Sequence, residues 1–198
     1  MTKTVEFYFD VGSPASYLAH TQLPTLCAQT GSQLIYRPML LGGVFKATGN
    51  ASPNSIPAKG AYMTHDLQRY ARRYQVTLNF NPYFPINTLH LMRAITGVQM
   101  RQPERFQELV DVVFTALWVD ELDLGNPQVL TRLLADKGFE AHEIFALTQD
   151  EKVKDQLKHS TELAIERGVF GAPSMFVDNE LFFGQDRLEF VREALNQK

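Results

Sequence analysis

Cysteine is nearly absent from this chain. One residue in 198, Cys27, carries a thiol. An internal disulfide is therefore impossible, and no CxxC pair exists. Thiol–disulfide exchange by the protein's own sulfur is excluded, because it needs an attacking and a resolving thiol. Cys27 falls inside an expected helix beside Leu26 and reads as a small core residue. Excess positive charge is missing too: 19 Lys and Arg stand against 22 Asp and Glu, a net charge of −3. With no polybasic run, neither a nucleic-acid surface nor an anionic membrane partner is expected. No apolar run is long enough to span a bilayer. The run Val5–Phe9 is too short for a signal-peptide core, and no small-residue cleavage site follows it, so the expected compartment is the cytoplasm. No metal is expected, since His65, His90, His142 and His159 show no ligand spacing with a carboxylate. Gly42-Gly43 lacks the further glycine of a dinucleotide loop.

What is present is a globular composition, with 44% hydrophobic and 21% charged residues. Val5–Phe9 is short, aromatic and β-branched, which predicts a strand. Ser13 can cap a following helix with Pro14 at its first position, and Gly31 stops it. Gln33–Pro38 reads as a second strand. Strand, helix, strand implies a right-handed crossover and a parallel pair. From Leu40 to about Glu166 no further strand is expected. Helices are expected over Lys59–Tyr74, Asn87–Gly97, Pro103–Val119, Pro127–Asp136, Ala141–Leu147 and Glu151–Arg167, with a loop over Asn79–Pro85. Two short strands, Ser174–Val177 and Glu180–Phe183, flank an Asp178–Asn179 turn. A last helix is expected over Asp186–Asn196. The simplest architecture joins residues 1–40 and 168–198 in one α/β domain, with residues 41–167 as a helical insertion.

Three distant segments carry the chemistry. Ser13 follows a strand and opens a helix, facing unpaired N–H groups and the positive helix end. Alone it reads as an ordinary N-cap. Yet Ser13-Pro14-Ala15-Ser16 has the spacing of a C-P-x-C redox motif with oxygen replacing both sulfurs. A hydroxyl cannot exchange disulfides, but it can donate a hydrogen bond to a thiolate supplied by another molecule. Pro173, in Gly171-Ala172-Pro173, reads as a helix stop or as a cis proline offering the Ala172 backbone to an extended peptide. In Gly184-Gln185-Asp186-Arg187, Asp186 reads as a helix cap or as a carboxylate for a ligand's ammonium, with Gln185 holding the neighbouring carboxylate. Other candidates fall away. His20 lies seven residues after Ser13 with no acid in sequence to orient it, against a Ser–His nucleophile. Trp118, with Phe114 and Leu117, fits core or interface packing, and Arg72 and Arg73 a solvated face.

Together these segments resemble a known family. FYFDVGSPASYLA (7–19), RPMLLGGVFKATGN (37–50), DLQRYARRY (66–74), ALW (116–118), FGAPSMFV (170–177) and FGQDR (183–187) occur in order over nearly the whole chain. They are similar to the kappa-class glutathione transferases and the bacterial 2-hydroxychromene-2-carboxylate isomerases, within the DsbA-like proteins. The resemblance implies an α/β, thioredoxin-like fold with a large all-helical insertion, and glutathione as cofactor. It implies that Ser13 bonds the glutathione sulfur and that Ala172, before a cis Pro173, pairs with the cysteinyl backbone. Gln185 and Asp186 would hold the γ-glutamyl end. Asn50 and Lys59 would approach from the helical lobe, with Lys59 on the glycyl carboxylate and Lys46 in the same region. Gly12 departs from the larger apolar residue usual before the serine, which would loosen the loop or widen the site. The implied partners are a small aromatic or electrophilic substrate, for which Tyr83 and Phe84 are available, and a second copy in a homodimer. Three activities follow: isomerisation by reversible thiolate addition, kappa-like conjugation of glutathione, or non-enzymatic peptide binding by a redox-silent DsbA relative.

Overall fold

The computed structural model describes residues 2–197. Strand β1 (Thr4–Phe9) is the hub. It pairs in parallel with β2 (Gln33–Pro38) and antiparallel with β3 (Ser174–Val177), which in turn pairs antiparallel with β4 (Glu180–Phe183). The order β2-β1-β3-β4 places β1 and β3 inside the sheet, which is why VEFYF and SMFV are apolar on both faces.

Alternation along the strands divides the core in two. Val5, Phe7 and Phe9 of β1, Met175 and Val177 of β3 and Phe182 of β4 face one way. Helix α1 (Pro14–Thr30) and helix α9 (Leu188–Asn196) cover that side. Tyr8 and Phe176 face the other way, against Met39, Val44, Ala164 and Val169. These last residues belong to or adjoin α2 (Leu41–Thr48) and α8 (Glu151–Glu166). The helical stretch also contains α3 (Pro57–Tyr74), α4 (Leu89–Arg101), α5 (Phe106–Trp118), α6 (Pro127–Asp136) and α7 (Ala141–Gln149). Its apolar faces run into the first core through Met92, Ile95, Phe114 and Trp118.

Most expected elements are present. Pro14 opens α1 behind the cap Ser13, and Gly31 closes it. Residues 79–85 are loop, with cis peptide bonds at Phe84–Pro85 and Ala172–Pro173. Helix α2 is an addition to the expected set, because two glycines dilute its pattern; burial of Val44 against the sheet holds it. Residues 185–187 form a separate 3-10 turn before α9. Among the described residues no helix is long and apolar enough to cross a membrane.

Candidate active site

The start of α1 and the segment before β3 meet at one end of the sheet. Ser13 is 5% exposed. Its Oγ accepts the Ser16 N–H at 3.1 Å, the capping bond, and donates to the Ala172 carbonyl at 3.0 Å. The peptide after Ala172 is cis. The Pro173 carbonyl accepts the Gly184 N–H at 3.0 Å, which draws the 185–187 turn into the same cluster. Gly184 has φ +100, a conformation that favours glycine, and a Cβ there would strike Asp186 Oδ1. Gln185 is 4% exposed. Asp186 is half-buried and pairs with Arg187.

The structure therefore gathers Ser13, Ala172, Pro173, Gln185 and Asp186. It brings Asn50 to the same segment, where the Asn50 amide donates to the Phe170 carbonyl at 2.8 Å. Lys46, in the last turn of α2, and Lys59, in the first turn of α3, are both exposed. No bond ties either of them to the cluster among the described residues. Tyr83 is exposed, while Phe84 packs on Trp118 with ring centroids 5.9 Å apart.

The two serines of the S-P-x-S turn differ. Ser16 is fully buried and its hydroxyl has no partner among the described residues. A buried, unmade hydroxyl bond costs about 1–3 kcal/mol. Ser16→Ala is expected to leave activity intact and to raise stability by about 1 kcal/mol, some 2–4 °C in Tm for a chain of this size. Thermal unfolding checks this; a lower Tm would mean that the hydroxyl has a bonded role.

Several contacts lie beyond the reach of sequence patterns. His20 does have an acid, 91 residues away: its Nε2 lies 2.8 Å from Asp111 Oδ1, and its Nδ1 lies 3.0 Å from the Tyr36 hydroxyl. It does not touch Ser13, so the Ser–His pair remains excluded. Burial pushes the Cys27 thiol up, which suits a core residue rather than a nucleophile. Trp118, at the end of α5, donates its indole N–H to the Val11 carbonyl at 2.8 Å, two residues from Ser13. Tyr74 of α3 donates its hydroxyl to the Gln185 carbonyl at 2.7 Å, fastening the Asp186 turn to the helical stretch. Gly12 does not open space as expected. The Thr88 methyl lies 2.8 Å from where a Cβ would sit, so Gly12 admits Thr88 rather than a wider ligand. No local pattern announces these pairs, since each joins residues far apart in the chain.

A parallel pair with its crossover helix, an antiparallel pair, and the segment before β3 set against the helix start define a thioredoxin-like protein. The DSBA-like thioredoxin domain profile matches residues 4–196, and the chain belongs to that family. It is 32% identical over 197 residues to 2-hydroxychromene-2-carboxylate isomerase of Sphingobium xenophagum, covering 98% of this chain and 99% of that one. It is 31% identical to glutathione S-transferase kappa 1 of Homo sapiens, covering 100% and 93%. A solved 2-hydroxychromene-2-carboxylate isomerase superposes with a TM-score of 0.85 at 29% identity, covering 97% of this chain and 94% of that one.

Proposed function

We propose that this chain is a glutathione-dependent isomerase that converts 2-hydroxychromene-2-carboxylate, or a related aromatic-degradation intermediate, to trans-o-hydroxybenzylidenepyruvate. The observation that carries the reading is the Ser13 hydroxyl, held by Ser16 N–H and directed at the Ala172 carbonyl. Similarity to enzymes named for this reaction supports it.

The residues present suit glutathione. The buried residue Gln185 and the adjoining Asp186 carboxylate match the carboxylate and ammonium of a γ-glutamyl group. Ala172 matches the cysteinyl backbone, while Asn50 and Lys59 approach the peptide from the helical lobe, Lys59 at the glycyl carboxylate with Lys46 in the same region. Bound glutathione supplies a thiolate that adds reversibly to the conjugated alkene, so that the double bond becomes single, rotates and reforms.

The part of Ser13 is to turn its proton from the Ala172 carbonyl to the sulfur. Its Oγ keeps the Ser16 N–H throughout, so the oxygen stays in place while the proton changes partner. The released Ala172 carbonyl accepts an amide N–H in exchange. Each lost bond is replaced, so the swap costs little. The α1 N-terminus, worth roughly half a positive charge, favours thiolate over thiol. Each unit by which the thiol pKa falls corresponds to about 1.4 kcal/mol.

Asp186→Ala removes the carboxylate proposed to hold the ammonium. Loss of a charge-assisted bond, about 1.5–3 kcal/mol, predicts a Kd for glutathione some 10–100-fold weaker, with turnover at saturation little changed. Calorimetry checks this, and unaltered affinity would remove Asp186 from the site. A thermal-shift comparison with glutathione lacking its γ-glutamyl group addresses non-enzymatic peptide binding, which predicts equal stabilisation by both. A second reading, kappa-like conjugation, is favoured by the human relative. The fate of glutathione separates the two: the isomerase regenerates it and the transferase consumes it. By the same resemblance the protein works as a homodimer.

A further inference from the structure

The chemistry above leaves one buried carboxylate unused, three residues before Ser13. Asp10 is 1% exposed. Its Oδ1 accepts the Gly12 N–H at 2.9 Å. Its Oδ2 accepts the Leu41 N–H at 2.9 Å and the Thr88 hydroxyl at 3.1 Å. Burial pushes the carboxyl pKa up, and these three hydrogen bonds oppose that push.

The three donors belong to three parts of the fold. Gly12 is in the loop that leads into α1, Leu41 is the first residue of α2, and Thr88 precedes α4. Leu40 gives α2 no side-chain cap, and the Asp10 carboxylate takes the Leu41 N–H instead. Thr88 stands at the cap position of α4 but makes no capping bond to that helix; its hydroxyl turns to Asp10. Its methyl occupies the space left by the missing Cβ of Gly12. The Asp10 backbone carbonyl accepts the Ser13 N–H at 3.0 Å. One side chain thus ties two helix starts to the loop that presents the serine.

We infer that Asp10 is a positioning residue for Ser13, acting through Gly12, Leu41 and Thr88 to fix where the Ser13 hydroxyl sits at the start of α1. The inference rests on the reading of Ser13 given above. A tie of this kind matters to rate because a catalytic group displaced by about 1 Å can lose on the order of 10²-fold. A tie that served stability alone would lower Tm and leave the folded enzyme's turnover unchanged.

Asp10→Asn tests the difference. An amide NH2 replaces one carboxylate oxygen, so either the Gly12 or the Leu41 N–H then faces another donor. Thr88→Val is the milder companion: it keeps the shape, removes one bond, and serves where Asp10→Asn folds poorly. Expected is a kcat lower by about 10-fold or more for Asp10→Asn and by about 3-fold for Thr88→Val, with glutathione Kd within about 3-fold by calorimetry. Expected too is non-additivity: in a Ser13→Ala background, neither change lowers kcat further. Unchanged kcat in folded Asp10→Asn and Thr88→Val, or full additivity with an inactive Ser13→Ala, would overturn the inference and spare the Ser13 reading. An active Ser13→Ala would overturn the Ser13 reading first, and this inference with it.

Discussion

Ser13→Ala should lower turnover by about 10²–10³-fold, the usual loss when one preorganised hydrogen-bond donor is taken from a developing anion. Glutathione affinity should change little. The proposed γ-glutamyl and backbone contacts remain, and the hydroxyl's free-state bond to the Ala172 carbonyl is lost with it. The variant also loses the α1 cap, because Ser16 N–H loses its acceptor. That costs about 1 kcal/mol of stability and no more. Two measurements check the prediction together: kcat at saturating substrate, and the thiolate absorbance of bound glutathione against pH. The midpoint of that titration should move upward in the variant, since the thiolate has lost a donor. Full turnover with glutathione still required would exclude Ser13 from the role assigned to it.

Trp118→Ala is expected to be the most destabilising single change, by about 3–5 kcal/mol. The indole is 2% exposed, it packs on Phe84, and its N–H satisfies the Val11 carbonyl. Truncation leaves a cavity where α5 meets the loop before Ser13 and strands a buried acceptor. For a chain of this length that corresponds to a fall of roughly 10 °C in Tm. Trp118→Phe separates the two parts, since it fills most of the volume but cannot donate. It should cost about 1–3 kcal/mol, for the orphaned carbonyl. Equal stability of Trp118→Phe and the parent in denaturant titration would mean that the Val11 bond contributes nothing.

Elements with local causes are legible in the amino-acid order. Ser13, Pro14 and Gly31 bracket α1; β2, α6, β3 and β4 fall on the expected residues. Their boundaries are set by caps, prolines and the change of period from 3.6 to 2, all of which are local. Helix α2 is not legible in this way, because Gly42 and Gly43 weaken its intrinsic tendency and its one buried residue, Val44, acquires meaning only against the sheet. The candidate site divides similarly. Ser13, Ala172, Pro173, Gln185 and Asp186 come from three motifs, while the bonds that bring them together do not show in the sequence. The pairs Ser13–Ala172, Tyr74–Gln185, Trp118–Val11 and His20–Asp111 each span 91 residues or more.

The sequence alone determined that the chain has no redox pair of its own, that a hydroxyl stands at the start of its first helix, and that α/β ends enclose a helical middle. These are facts of composition and of short-range order, which the chain carries whether folded or not. Only the tertiary structure decided which of two serines bonds the Ala172 carbonyl and which lies buried without a partner among the described residues. It alone decided that Gly12 makes room for Thr88, and that Asp10 ties α2 and α4 to the loop before Ser13. The physical reason is that hydrogen-bond direction and close packing are properties of groups brought together from distant positions. No spacing along the chain encodes them until the sheet has closed.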